Sequence, residues 1–271
     1  MFSYFSRVMI TGRVSKMKAK LALQVIYQLP IEERLIAMND LLGKEISIQF
    51  QNEIYCVGCE KLIKKSFSNG FCYNCFISSP ENSECILRPE LCLAHEGKGR
   101  DVEWEREHHL QEHIVYLALS SEVKVGVTRS VQIPTRWIDQ GASAAIRFAK
   151  VPYRQLAGLI EVEMKKNYTD KTSWQQMLKG IASEKNLLNE KKRAKELLPA
   201  ELVPYYSDDD AITSLDYPIL QYPQKIKSID FEKQNLVSGK LTGIKGQYLI
   251  FEDNSVVNIR KHEGFVLSVD F

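Results

Sequence analysis

The chain has 271 residues, 44% hydrophobic and 26% charged, with a formal net charge of +2. This is an ordinary globular composition with length for two domains, and the near-neutral charge favours no class of partner. No run approaches the roughly 20 apolar residues of a membrane span, so no membrane partner is expected.

The opening stretch, MFSYFSRVMITGRVSKMKAK, lacks a continuous apolar core and a small-residue cleavage site, so it does not read as a secretory signal. Met1 and Met9 are both available starts. Six cysteines without such a signal point to a reducing, cytoplasmic location. There, paired cysteines more often hold metal than form disulfides.

Residues 13–50 favour strands in LALQVIYQL, RLIAM and KEISIQF, with turns at Asn39-Asp40 and Gly43-Lys44. Residues 55–95 are cysteine-rich and poor in large apolar runs, a stretch that needs a staple to fold. From 114 to 180 the pattern reads strand, strand, helix, strand, helix. Pro134 suits the start of the first helix and Gly141 its end. Leu156, Leu159, Ile160 and Glu163 fall at helical spacing. ASEKNLLNEKKRAKELL reads as a charged helix with a solvated face, and YYSDDDAITSLD as a polar loop. The last fifty residues return to strands, expected to form a small antiparallel barrel or curled sheet. The first fifty residues are candidates to cover its edges.

The chain therefore reads as α+β in four parts: a β-rich segment (1–54), a cysteine- and histidine-rich module like a zinc ribbon (55–112), an α/β core with a charged helix (113–200), and a β domain (201–271) that can pair with the first.

Cys56-x-x-Cys59 and Cys72-x-x-Cys75 stand twelve residues apart, with Ser68-Asn69-Gly70 to turn the chain back. Two such knuckles converge four thiolates on one tetrahedral cation, as zinc takes at a closed structural site. Lys61, Lys64 and Lys65 lie between them and would help hold the thiolate charge. A second set follows in Cys85, Cys92 and His95, where Cys92-x-x-His95 has ligand spacing. The fourth ligand there is open between His108 and His109; the alternative is two buried thiols beside solvated histidines. His113 precedes an apolar strand and does not read as a ligand.

IVYLALSSEVKVGVTR, TRW and GLIEVE, within residues 114–180, resemble a GIY-YIG nuclease core, in the branch whose second half-motif reads Lys-Ile-Gly. Over nearly the whole chain, the C-x-x-C pairs, KVGVTRSVQIPTRWIDQGA, DKTSWQQMLKG and GIKGQYLIF resemble a bacterial family known as a domain of unknown function. In that family cysteines are usual near the positions of Gly99 and His109; here Gly99 offers no ligand and His109 does.

The nuclease resemblance implies an endonuclease that cuts phosphodiester bonds with magnesium or manganese. It puts Tyr116 near the attacking water, and a phenol needs a nearby cation to act as a base at neutral pH. Lys124 stands where a second tyrosine often does. Gly126 would admit a phosphate closely, for want of a Cβ. Arg136 would grip a phosphoryl oxygen. Glu161 would hold the catalytic cation, with Glu163 the neighbouring possibility. Ser173 stands near the place of a further polar residue, and Arg129 could reach a phosphate. Trp137 and Trp174 read as core anchors more than as stacking platforms.

Residues 141–200 carry twelve Lys or Arg against six Asp or Glu, which fits a polyanion such as DNA or RNA. The leading expectation is a zinc-stabilised nucleic-acid-binding protein with that nuclease activity. The alternatives are a non-catalytic nucleic-acid-binding module and a protein-interaction module.

Overall fold

A computed structural model describes residues 8–168 and 173–271. Most of the opening MFSYFSRV stretch, and Asp170, Lys171 and Thr172 of the DKTSWQQMLKG motif, lie outside the described residues. Among the described residues, no helix is long and apolar enough to cross a membrane. The fold is α+β and rich in sheets, divided into two compact units: residues 1–76 with 217–271, and residues 77–216.

The chain opens with β1 (Met9–Arg13), β2 (Lys18–Lys20), β3 (Ile26–Ile31), β4 (Arg34–Ala37), β5 (Glu45–Tyr55) and β6 (Leu62–Ile63), then the short helix α1 (Tyr73–Ser78). The strands expected over 13–50 are present, but LALQVIYQL is extended only in its second half. Asn39-Asp40 lies in a 3-10 turn, Met38–Leu41. Asn39 ties that turn back to the sheet: its side chain accepts from Tyr27 N at 2.7 Å and donates to Val25 O at 2.9 Å. β5 alternates as a half-buried strand should, with Ile46, Ile48, Phe50 and Ile54 inward.

In the second unit, α2 (Glu84–Leu87) and α3 (Val102–His109) precede the antiparallel β7 (His113–Leu119) and β8 (Val123–Arg129). α4 (Thr135–Asp139) follows, starting at Pro134 and ending before Gly141, which has φ 68°. β9 (Ala144–Val151) pairs antiparallel with β7. α5 (Arg154–Lys165), α6 (Trp174–Leu178) and α7 (Leu187–Glu196) follow.

β7 is buried along nearly its whole length, as a central strand should be. Val115 and Leu117 join Phe148, Leu156, Ala157, Ile160, Leu187 and Ala194 in one apolar core between the sheet and α5 and α7. Two expectations change here. The supposed loop YYSDDDAITSLD contains β10 (Ile212–Ser214), which pairs with β9 and makes a four-stranded sheet in the order β10-β9-β7-β8. The charged helix α7 is not solvated throughout: Lys191 is fully buried and donates to Asp210 Oδ1 at 2.9 Å and Asp209 O at 2.7 Å.

The C-terminal strands are β11 (Lys227–Ile229), β12 (Leu236–Lys245), β13 (Tyr248–Phe251), β14 (Ser255–Asn258) and β15 (Phe265–Asp270). β1 pairs with β15, and β5 with both β15 and β12, so the two ends of the chain share one sheet. β12 pairs β5 through Lys240, then shifts register between Leu241 and Gly243 while pairing with β13. Such a bulge bends a strand and lets a sheet curl. Among the described strands the path β1-β15-β5-β12-β13-β14-β11 stays open, with β6 beside β5. It is an open sheet, not a closed barrel.

Candidate active site and metal centre

The first cluster forms where β5 runs out. Cys56 follows the last residue of that strand, and Cys72 precedes α1, which carries Cys75. Between the knuckles, Phe67 and Phe71 pair across a turn in which Ser68, Asn69 and Gly70 all have positive φ. Gly70 has φ 106°, and a Cβ there would meet Glu263 O at 2.6 Å, so this turn needs glycine. The four Sγ atoms lie within 4.8 Å of one another, with Cys59 and Cys72 3.9 Å apart.

Backbone N–H groups of Cys72 and Gly58 point at Cys56 Sγ, at 3.1 and 3.4 Å. Burial opposes ionisation of Cys56, but donors from the Cys72, Cys59 and Gly58 backbone, with the Cys59 thiol, outweigh it and bring its pKa to about 6. Cys75 is pushed up to about 12, first by its hydrogen bond with Cys72 and then by burial. Four thiolates this close repel one another. A divalent cation at their centre removes the conflict, so the donor set fits a structural metal ion such as zinc.

The second unit gathers Cys85, Cys92, Glu105 and His109. His109 Nδ1 lies 3.4 Å from Cys92 Sγ, 4.0 Å from Cys85 Sγ and 3.7 Å from Glu105 Oε2. His95 is not in this group; its ring stacks on Tyr153 at 5.0 Å. His108 Nδ1 donates to Trp104 O at 2.8 Å, and its ring stacks on the Trp104 ring. Glu105 and His109 sit one helical turn apart on α3, a spacing that puts both on one face.

Beside this cluster opens a cleft of about 470 Å³. β8 forms one wall with residues 124–129; α4 contributes Arg136, and Gln140 follows it; α5 contributes Arg154, Glu161 and Lys165. Arg154, Gly158, Glu161 and Lys165 follow a 4, 3, 4 spacing, the period of one helix face. Leu156, Ala157, Ile160 and Met164 turn to the core.

Of the residues singled out from the sequence, Tyr116, Lys124, Gly126, Arg129, Arg136 and Glu161 all line this cleft. Ser173 does not: it caps α6, accepting from Gln176 N at 3.3 Å. Trp137 is buried and meets the Tyr116 ring edge-on. The space Gly126 leaves is filled by the Tyr116 ring, which stands opposite it across β7 and β8, rather than left open to a phosphate.

Tyr116 is fully buried, and Gln140 Nε2 donates to its hydroxyl at 2.6 Å. Burial raises its pKa above the ordinary phenol value, more than the Arg136 charge and the bonds from Gln140 and Arg136 lower it. The nearby cation is present, yet desolvation wins, so the hydroxyl stays protonated around neutral pH. Glu161 is only 7% exposed, with Lys165 Nζ 3.2 Å from its Oε2. Burial lowers the Arg154 pKa, and its guanidinium donates to Cys85 O and Ile86 O at 3.0 and 2.9 Å. Five cationic side chains therefore face one carboxylate: Lys124, Arg129, Arg136, Arg154 and Lys165 against Glu161.

Three members of these sites escape sequence reading. Glu105 sits in the run DVEWEREHH, which looks like a solvated helix; its i, i+4 spacing to His109 is the one available signal. Lys165 stands four residues after Glu161. Arg154 has no local signature.

No curated protein and no solved structure matches the chain. The family described as "Protein of unknown function (DUF2797)" matches residues 43–267. With most of its length so matched, from within the turn before β5 to the middle of β15, the chain belongs to that family.

Proposed function

We propose that this protein binds nucleic acid and hydrolyses its phosphodiester bonds in the cleft of the second unit, with zinc at the Cys56/Cys59/Cys72/Cys75 cluster as a structural brace. The supporting observation is the convergence of Tyr116, Lys124, Arg136 and Glu161 on one open cleft. Those residues lie far apart in sequence, and they are the ones that the likeness to GIY-YIG nucleases singles out. The excess of cations around Glu161 suits a polyanion and disfavours neutral or cationic substrates.

In this reading Arg136 grips a phosphoryl oxygen with its planar fork, while Lys124 and Arg129 hold the flanking backbone. Tyr116 keeps its proton and orients the attacking water instead of deprotonating it. Glu161 is the residue to hold magnesium or manganese, with waters and substrate oxygens completing the shell. Such a cation would supply charge neutralisation at the leaving oxygen. Lys165 must then give up its contact with Glu161.

The test is incubation of the full-length protein with plasmid, single-stranded DNA and RNA, with magnesium or manganese. Cleavage should disappear in Glu161→Ala and Arg136→Ala with circular dichroism unchanged. Salt-sensitive binding should persist in Glu161→Ala. Salt-sensitive binding with no turnover on any substrate would favour the non-catalytic module, a reading to which the Lys165–Glu161 ion pair lends some weight. No binding even at low salt would overturn both.

A further inference from the structure

The residues around α2 and α3 have almost no apolar core of their own: their buried apolar cluster is Cys85, Cys92 and Ala94. Something else must hold this segment in place. At its centre stand two thiols, an imidazole and a carboxylate, all buried, with Glu105 and His109 each 2% exposed. Burying such groups is costly unless each is fully satisfied.

Hydrogen bonding within the group is weak: His109 Nδ1 meets Cys92 Sγ at 3.4 Å and Cys85 Sγ at 4.0 Å, and thiol sulfur is a poor hydrogen-bonding partner. The 3.7 Å between Glu105 Oε2 and His109 Nδ1 is too long for a hydrogen bond. Tetrahedral coordination accounts for the spacing better. With bonds of about 2.3 Å to sulfur and about 2.0 Å to nitrogen or oxygen, neighbouring ligands stand roughly 3.3–3.8 Å apart. Of the contacts here, 3.4 and 3.7 Å fall in that range, and the 4.0 Å to Cys85 lies just beyond it.

The surroundings aim Glu105 at this point. Arg100 N donates to Glu105 Oε1 at 2.9 Å, which leaves Oε2 toward His109. Any side chain at Gly99 would strike the same carboxylate, so position 99 makes room for it. Arg154 holds the backbone of Cys85 and Ile86 from outside. A neighbour that fixes a ligand's orientation in this way is what a metal site requires.

We propose that Cys85, Cys92, Glu105 and His109 form a second, closed four-ligand site for a divalent cation of the zinc class, with Glu105 as the fourth ligand. Binding takes both sulfurs as thiolates, and any proton that they still carry goes to solvent. The site shares no residue with the Cys56/Cys59/Cys72/Cys75 cluster and does not depend on the nuclease reading. Its role is to clip the segment that forms one lip of the cleft.

The test uses the full chain loaded with cadmium-113 and, separately, with zinc. Elemental analysis should give two zinc ions per chain, falling to one in Cys85→Ser/Cys92→Ser. The cadmium protein should give two resonances, one at the downfield position of four thiolates and one well upfield of it. Glu105→Cys should move the upfield resonance downfield and leave the other in place. One zinc per chain in the wild type, two downfield resonances, or an upfield resonance unmoved by Glu105→Cys would each overturn the proposal. The wild-type spectrum decides the matter even if the variants fail to fold.

Discussion

The Cβ that Gly126 lacks would stand 2.5 Å from the phenolic oxygen of Tyr116, its partner across β7 and β8. Position 126 and the tyrosine ring thus compete for one space, and interiors of ordinary density leave no slack for both. Gly126→Ala is expected to cost about 1–3 kcal/mol through overpacking. In a Tyr116→Leu background the same alanine should cost less. A double-mutant cycle by urea denaturation measures the difference; strictly additive costs would mean that the two positions do not compete.

Tyr116 carries its proton at neutral pH because desolvation outweighs the Arg136 charge. Removing its hydroxyl takes away a hydrogen bond beside charged groups. If the cleft cleaves phosphodiesters as proposed, Tyr116→Phe should slow that cleavage by about ten- to a hundredfold, the worth of one such bond. The acidic limb of the pH–rate profile should stay where it is. A limb that vanishes together with the hydroxyl would show that the phenolate acts as the base after all.

The strands and helices of the second unit were legible because each carries its own period. β7 and β8 are apolar runs bounded by turn residues, and α5 repeats its apolar face every three to four residues. The two C-x-x-C pairs were legible because local spacing dictates the ligand geometry. What escaped depended on distant partners. Ile212–Ser214 is a strand only because β9 offers it an edge. Lys191 is buried only because Asp209 and Asp210 come back to meet it. Cys92-x-x-His95 has ligand spacing, yet Tyr153 takes the His95 ring, while Glu105 joins the cluster from a helix whose composition reads as solvated.

Gly158 decides how closely α5 packs against the 3-10 turn Pro89–Leu91. A Cβ there would run into the backbone of Pro89 and Glu90, with Glu90 Cα at 2.7 Å. Alanine is favoured over glycine inside a helix by about 0.8–1.0 kcal/mol. The collision is with backbone, which cannot swing aside, and overpacking of that kind costs about 1–3 kcal/mol. Gly158→Ala should therefore destabilise the protein on balance, read as a lower urea midpoint. It should also loosen the Cys85–Cys92 segment and, if zinc occupies the proposed second site, speed its release to a chelating dye. A raised midpoint with unchanged release would mean that α5 and this turn do not pack as closely as described.

His113 sets an acid limit on stability. It is fully buried at the start of β7, its Nδ1 is 2.7 Å from Gln111 O, and its Nε2 has no partner among the described residues. Burial lowers its pKa to about 4 in the folded protein, against about 6.5 in the unfolded chain. Between those values the unfolded state binds more protons, so stability rises with pH in this window. The contribution is fully present above about pH 6.5 and is lost as pH falls toward about 4. Two and a half pH units correspond to roughly 3 kcal/mol at most. His113→Gln keeps a donor for Gln111 O but cannot titrate. Between pH 7 and pH 4.5 the wild type should therefore lose about 2–3 kcal/mol more than this variant, measured by urea denaturation at each pH. Equal losses in the two proteins would show that His113 is already protonated, or solvated, in the folded state.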